Sequence, residues 1–189
     1  SDDGLLTVTN ISLTDLGVSQ YYSTLTSAND PELVLAGSQD QGYQRSIDPG
    51  RGPGWDFEQL ISGDYGHLTY SDGGHGIVFS VYPGFVLVQQ GEQAPALPGS
   101  LDFPAGENHS WMPFIVADPG DPRAFWFCAT HLHRGVWLGN NGVSYTASAE
   151  DFTVAGGNYL TALGIAPADP DHRIAVVDNG RVWSTTDGG

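Results

Sequence analysis

The sequence predicts an all-β fold assembled from repeated four-stranded units. Three observations carry that expectation: a loop signature at a near-constant interval, a second turn signal in phase with it, and missing helical periodicity. Ser46-Ile47-Asp48-Pro49-Gly50, followed by Trp55, has the form Ser/Thr-x-Asp-x-Gly, and Thr185-Thr186-Asp187-Gly188-Gly189 repeats it. Leu138-Gly139-Asn140-Asn141-Gly142-Val143-Ser144-Tyr145 is a weaker copy, and Ser1-Asp2-Asp3-Gly4-Leu5-Leu6-Thr7 a degenerate one. The copies start at residues 1, 46, 138 and 185, with an unfilled slot near residue 92. A fixed period of this length marks an array of similar supersecondary units. The Asp side chain of such a loop accepts bonds from the N–H groups of its own turn, and Gly supplies the positive φ that closes it. The signature therefore reads as a staple of the fold and not as a catalytic element. No stretch keeps apolar residues at i, i+3, i+4 and i+7 over three turns; 26 Gly and 12 Pro punctuate short runs rich in Val, Ile, Phe, Tyr and Trp, the pattern of strands.

Aligned on the signature, the first unit (20–62) has strands at 21–28, 33–37, 42–46 and 55–61, with a turn at Asn29-Asp30-Pro31. The second (66–104) has strands at 67–71, 77–81 and 85–89 and a turn at Asp72-Gly73-Gly74; three prolines within 94–104 leave its outer strand undefined, since proline cannot donate to a ladder. The third (111–155) has strands at 112–117, 124–130, 135–138 and 144–154, with a turn over Asp118-Pro119-Gly120-Asp121-Pro122. The fourth (158–189) has strands at 160–166, 173–177 and 181–185 and a turn at Asp169-Pro170-Asp171, its outer strand falling beyond Gly189. Residues 5–12 read as the outer strand of a further unit whose inner strands precede residue 1. An Asp-Pro or Asp-Gly turn sits between first and second strands every time, which is the second in-phase signal.

The formal charge is −16, and all six basic residues are Arg. Such a surface repels phosphate backbones and anionic lipid, so neither nucleic acid nor membrane is an expected partner. It suits a secreted or high-salt protein, and an extracellular or periplasmic location is expected. No apolar run approaches the roughly 18 residues of a membrane span. The single cysteine, Cys128, is expected to pack as a small apolar side chain.

Four-stranded units of about 40–50 residues have the size of β-propeller blades. The loops resemble those of the Asp-box (BNR-repeat) propellers, which include sialidases, xyloglucan-active glycosidases and sortilin-type receptors. Ala36-Gly37-Ser38-Gln39-Asp40-Gln41-Gly42, Trp55 and Ser62-Gly63-Asp64-Tyr65-Gly66 are similar to a Gly-x-Gln-Asp-Asn-Gly … Trp … Gly-Gly-Asp-Gly pattern of bacterial and sortilin-like members. The resemblance implies a propeller segment of about four blades, an arc cut from a ring of about six to eight. The alternative is a closed four-blade ring in which residues 5–12 complete the last blade. Sialidases carry an Arg-Ile-Pro motif and an arginine triad; this chain has His172-Arg173-Ile174-Ala175 and only six arginines, so a complete sialidase site is not expected.

In a propeller the blade-joining loops and the turns between second and third strands share one face, and loops on a rigid scaffold are where sites are built. That face is expected to gather Gln39, Asp40, Asp64, His67, Glu107, His109, Trp111, His131, His133, Arg134 and Tyr159. Asp40, Asp64 and Glu107 could converge as the carboxylates of glycoside hydrolysis, or His67, His109, Tyr21 or Tyr159 could act as the base of a lyase, with His131 a further catalytic candidate. Asp40 and Asp64 could equally cap their own Gly-rich turns. His131 and His133 lie on one side of an extended segment and, with His109 or Asp64, could ligate a divalent metal; a hydrogen-bonded polar turn is the alternative. No other cofactor is expected. Trp111 and Tyr159 suit sugar rings, with Gln39, His67, His109 and Arg134 as further substrate contacts, whereas Trp126, Trp137 and Trp183 alternate within strands and are expected in the core. The expected function is therefore part of a glycan-active propeller, hydrolase or lyase, acting on a polysaccharide or oligosaccharide and completed by further blades of a parent chain. The alternative is a non-catalytic propeller that binds a protein or peptide.

Overall fold

A computed structural model describes residues 19–30, 32–47, 56–71, 76–91 and 99–188. The strands are β1 (Tyr21–Thr26), β2 (Val34–Ser38), β3 (Gly42–Ile47), β4 (Asp56–Ile61), β5 (Gly66–Thr69), β6 (Ile77–Tyr82), β7 (Phe85–Gln90) and β8 (Gly99–Asp102). They continue as β9 (Ile115–Ala117), β10 (Ala124–Cys128), β11 (Leu132–Gly139), β12 (Gly142–Ala147), β13 (Leu160–Ala166), β14 (Asp169–Val177) and β15 (Val182–Thr185). Hydrogen bonding joins them in chain order into sheets β1–β4, β5–β8, β9–β12 and β13–β15, with every pairing antiparallel. The fold is a four-blade segment of a β-propeller, the last blade three-stranded among the described residues.

The period-2 alternation of each strand explains how the blades stack. Along β10, Phe125 and Phe127 join Phe79, Val81, Val86, Val88 and Leu101 between the second and third blades. The alternate residues Trp126 and Cys128 join Leu132, Leu160, Leu163 and Val177 between the third and fourth. A third layer, with Leu35, Tyr43, Tyr65, Leu68, Val78 and Leu87, holds the first blade to the second. Cys128 packs as expected, and burial pushes its thiol pKa up. Trp126 and Trp137 are buried and Trp183 partly so. Close approach also demands glycine. A Cβ on Gly37 would lie 2.3 Å from the Tyr65 carbonyl of the next blade, and one on Gly99 2.4 Å from that of Asn140.

Several strand boundaries differ from the sequence expectation. Pro95, Pro98 and Pro104 do not abolish an outer strand in the second blade; β8 fits its four residues into the proline-free gap between the last two. The strand expected over 144–154 stops at Ala147, because Asp151 caps a 3-10 turn at Phe152–Ala155, accepting from Thr153 N–H at 2.8 Å, and Gly156 closes it at φ 81°. β11 begins at Leu132 rather than 135, a shift with consequences for the site. The strand expected at 5–12, the turn at 72–74 and the loop residues 48–55 lie outside the described residues.

The loop signature behaves as a staple where it is described. In the fourth copy Thr185 Oγ1 donates to Asp187 Oδ1 at 2.6 Å. In the weaker third copy Asn141 Oδ1 accepts from Ser100 N–H of the second blade at 3.1 Å, and Asn140 O accepts from Trp137 Nε1 at 2.8 Å. No substantial strand contact joins the fourth sheet to the first, so among the described residues the arc is open and the four-blade ring is not formed.

Because the layers between blades hold the arc together, Phe127→Ala is expected to lower the unfolding free energy by about 3–5 kcal/mol. Leu138→Ala, at a position 62% exposed, should change it by no more than about 0.5 kcal/mol. Urea unfolding of both variants measures this, and equal losses would contradict the layered core.

Candidate functional site

Backbone bonds place the joining loops and the second-to-third-strand turns on one face, and the same bond recurs. Gln39 N–H donates to Gln20 O at 2.9 Å, Thr130 N–H to Asn108 O at 2.9 Å, and Asp178 N–H to Tyr159 O at 3.0 Å. Each ties a turn to the loop that leads into its own blade. A second set crosses blades: Tyr65 N–H donates to Ser38 O at 3.3 Å and Leu160 N–H to Ala129 O at 3.0 Å.

On this scaffold Glu107, His131 and His133 meet. Glu107 arrives on the loop between β8 and β9, His131 forms the β10–β11 turn, and His133 is the second residue of β11. One Glu107 oxygen, Oε2, accepts the His131 backbone N–H at 3.0 Å. The other, Oε1, lies 3.0 Å from His131 Nδ1 and 3.3 Å from His133 Nε2. His133 is 6% exposed, and neither of its ring nitrogens makes an aligned hydrogen bond; its ring stands edge-on to Tyr145 at 6.1 Å. Burial alone would raise the Glu107 carboxyl, but the His131 N–H, the His131 ring and the charge of His133 outweigh it and hold the carboxyl below its ordinary value. Burial also lowers the His133 imidazole, against the upward pull of Glu107.

The remaining expected site residues are placed as follows. Asp40, at φ 59°, donates its N–H to Asp64 Oδ1 at 2.8 Å, so these two acids meet as turn and cap. Neither contacts Glu107, which is held by the imidazoles of its own blade. Gln39 is exposed, with its backbone in the two bonds of its turn. His67, half-buried, packs edge-on against Phe114 at 4.9 Å, and burial lowers its pKa against a backbone bond with Met112. His109 stands edge-on to Phe103 at 5.0 Å and its Nδ1 lies 2.8 Å from Ser110 O, apart from His131 and His133. Trp111, on the same loop as Glu107, is 62% exposed. Tyr159 is half-buried.

Arg134 takes a different place from the turn position expected for it. β11 starts at Leu132, so strand alternation turns Arg134 away from His133, and its Nε and Nη2 bond Asp118 Oδ2 at 2.6 Å and Asp121 Oδ2 at 3.2 Å. Those acids occupy the β9–β10 turn at the other end of the blade. The metal-ligating grouping also differs from the expected one: Glu107, and neither His109 nor Asp64, joins the two histidines. The signal for it was available, since 107 belongs to the loop leading into the blade that carries the turn at 131. Sequence sorting missed Tyr22, whose phenol is pushed up by desolvation and by the charges of Asp64 and Asp40. Its neighbour Tyr21 points the other way, donating to Gln44 Oε1 at 3.2 Å.

No protein-family model matches the sequence, and no curated protein is significantly similar to it. Among solved structures, the chain is similar to the β-propeller domain of Myceliophteria thermophila Cps50 (Swd1), at TM-score 0.60 and 12% identity over 89% of this chain and 54% of that one. It is similar to the GH74 xyloglucanase of Xanthomonas campestris, at TM-score 0.64 and 16% identity over 89% of this chain and 28% of that one. It is also similar to YCF48 of Cyanidioschyzon merolae, at TM-score 0.63 and 14% identity over 90% of this chain and 54% of that one. The chain thus spans about half or less of each. At these identities the likeness establishes the propeller fold.

If Arg134 is a scaffold residue, Arg134→Ala strands the buried Asp118 and should cost about 1–3 kcal/mol in chemical denaturation. His172→Ala, which removes the exposed pair with Asp169, should cost no more than about 0.5 kcal/mol. An unchanged midpoint for Arg134→Ala would return that arginine to the set of ligand contacts.

Proposed function

We propose that this arc belongs to a glycan-active propeller of the Asp-box type, extracellular or periplasmic, with its joining-loop face as the substrate face. The observation that carries the reading is a bare indole, Trp111, on the same loop as Glu107, which is paired with two imidazoles. Aromatic faces stack on the apolar faces of sugar rings, and the carboxylate–imidazole group is the reactive polar centre of that face. Further blades complete the ring: Ile174 and Val182, 54% and 64% exposed, lie with Val176 on the side of the fourth sheet turned away from the third. An apolar strip of that kind suits a neighbouring blade.

The chemistry falls between hydrolase and lyase, and one geometric fact bears on the choice. Hydrolysis needs two carboxylates facing each other across the scissile bond. Here Asp64 is engaged with the Asp40 turn, and Glu107 with histidines. Neither pairing leaves two carboxyl groups facing across an open gap, which favours the lyase branch, with a histidine or tyrosine of this face as base. A second reading, a protein- or peptide-binding propeller, draws on the use of Asp40 and Asp64 as loop caps.

Product release by the protein across neutral and acidic polysaccharides tests these readings. Ultraviolet-absorbing unsaturated ends are expected from an acidic glycan, with Trp111→Ala weakening apparent affinity by about tenfold, the worth of one stacking contact of about 1.4 kcal/mol. Reducing ends without absorbance would move the assignment to a hydrolase. Silence across the panel, with no glycan retained in affinity electrophoresis, would sink the glycan reading and favour a protein partner.

A further inference from the structure

We propose that Glu107, His131 and His133 form a binding site for a divalent first-row transition cation, zinc in preference to magnesium or calcium. The inference stands on the geometry of the cluster and does not depend on the glycan reading. One ligand atom from each residue lies within 4.8 Å of the other two. A tetrahedral zinc with bonds of about 2.0–2.1 Å has ligand-to-ligand edges of about 3.3 Å. Two edges are already near that length, Glu107 Oε1 to His133 Nε2 at 3.3 Å and to His131 Nδ1 at 3.0 Å. Only the edge between the two imidazoles has to close.

The carboxylate is oriented for the task. The His131 backbone N–H holds Oε2 at 3.0 Å, with the His131 ring 3.3 Å from the same oxygen, and Oε1 is the oxygen that faces both rings. A second backbone bond, Thr130 N–H to Asn108 O at 2.9 Å, fixes the loop and the turn next to it. Orienting bonds of this kind are what ligating groups require.

The independent observation is His133 itself. It is 6% exposed; Nδ1 has no partner, and Nε2 has only the unaligned 3.3 Å contact with Glu107 Oε1. An unsatisfied buried polar atom ordinarily costs about 1–3 kcal/mol, and a structural histidine would be expected to find a carbonyl or hydroxyl. Coordination through Nε2 replaces that unaligned contact with a bond and leaves the proton on Nδ1. The His131 side chain is 30% exposed, so with three protein ligands the fourth position opens towards solvent, as in zinc sites that keep a water. Imidazole ligands select zinc or cobalt over hard oxygen-seeking cations. That selectivity separates this site from the loose counterion attraction of a chain of formal charge −16.

The test is calorimetric titration of zinc into the chelator-stripped 189-residue chain in a large excess of magnesium, with cobalt as a spectroscopic probe. One zinc per chain and the visible absorption of tetrahedral cobalt are expected. His131→Ala and Glu107→Gln should each weaken zinc binding by at least about tenfold. His131 is part-exposed, so its variant keeps the test valid if His133→Ala fails to fold. Zinc binding that magnesium abolishes, or that survives both substitutions at wild-type affinity, would overturn the site, as would no binding at all.

Discussion

The structure depends on burial of its central strands on both faces at once. Strand β10 is buried along its whole length, with phenylalanines on one side and Trp126 and Cys128 on the other serving two different layers. An inner sheet of this kind buries both faces, so the third blade is held by the neighbours on either side of it. That requirement sets the spacing of the blades and brings backbones close enough that Gly37 and Gly99 leave no room for a side chain. It also fixes where each joining loop meets the turn of its own blade, and the joining-loop face follows from the core.

The few cations of this acidic chain serve the same end. Arg173 lies 4.0 Å over the Trp126 ring and Arg123 5.3 Å over that of Trp137. Arg45 pairs with Glu58 within its blade, and Arg134 holds the β9–β10 turn. A guanidinium suits these places because it stacks on a ring and bonds carboxylates in one plane. With four arginines engaged in this way, the described residues hold no arginine cluster for a substrate carboxylate. An acidic ligand on this face would need a cation from elsewhere.

Much of the fold was legible because it is written in short periods. The Val-, Ile- and Phe-rich runs of β6, β7 and β10 gave strand positions to within a residue or two, and the alternation predicted that Trp126 and Trp137 would be core. β8 was illegible because flanking prolines obscure four residues whose strand character comes from pairing with β7. The end of β12 was misjudged because a local carboxylate cap at Asp151 outcompetes the ladder. At the site, the members Glu107, His131 and His133 were legible and their grouping was not. That grouping depends on which loop returns to which turn, and on β11 starting at Leu132, which turns His133 inward and sends Arg134 to the opposite face.

The tie between joining loop and turn recurs in three blades, and comparing its forms separates scaffold from chemistry. In the first blade the tie is a backbone bond, Gln39 to Gln20, beside a side-chain bond from Ser19 Oγ to Gln41 Oε1. In the fourth, Asp178 on the turn caps the loop, accepting from Asn158 N–H and Nδ2 at 2.8 Å each. In the third the roles are exchanged: Glu107 on the loop caps the turn through the His131 N–H. In both blades one carboxylate oxygen takes the backbone N–H, and the fourth blade completes its cap without an imidazole. The His131 ring and the buried ring of His133, both set against Oε1 of Glu107, are therefore surplus to the staple. Polar groups that a fold does not need, held in place by a contact that it does need, are what a binding or reactive centre is made of. By the same comparison Asp64, whose Oδ1 caps the Asp40 N–H, remains with the scaffold.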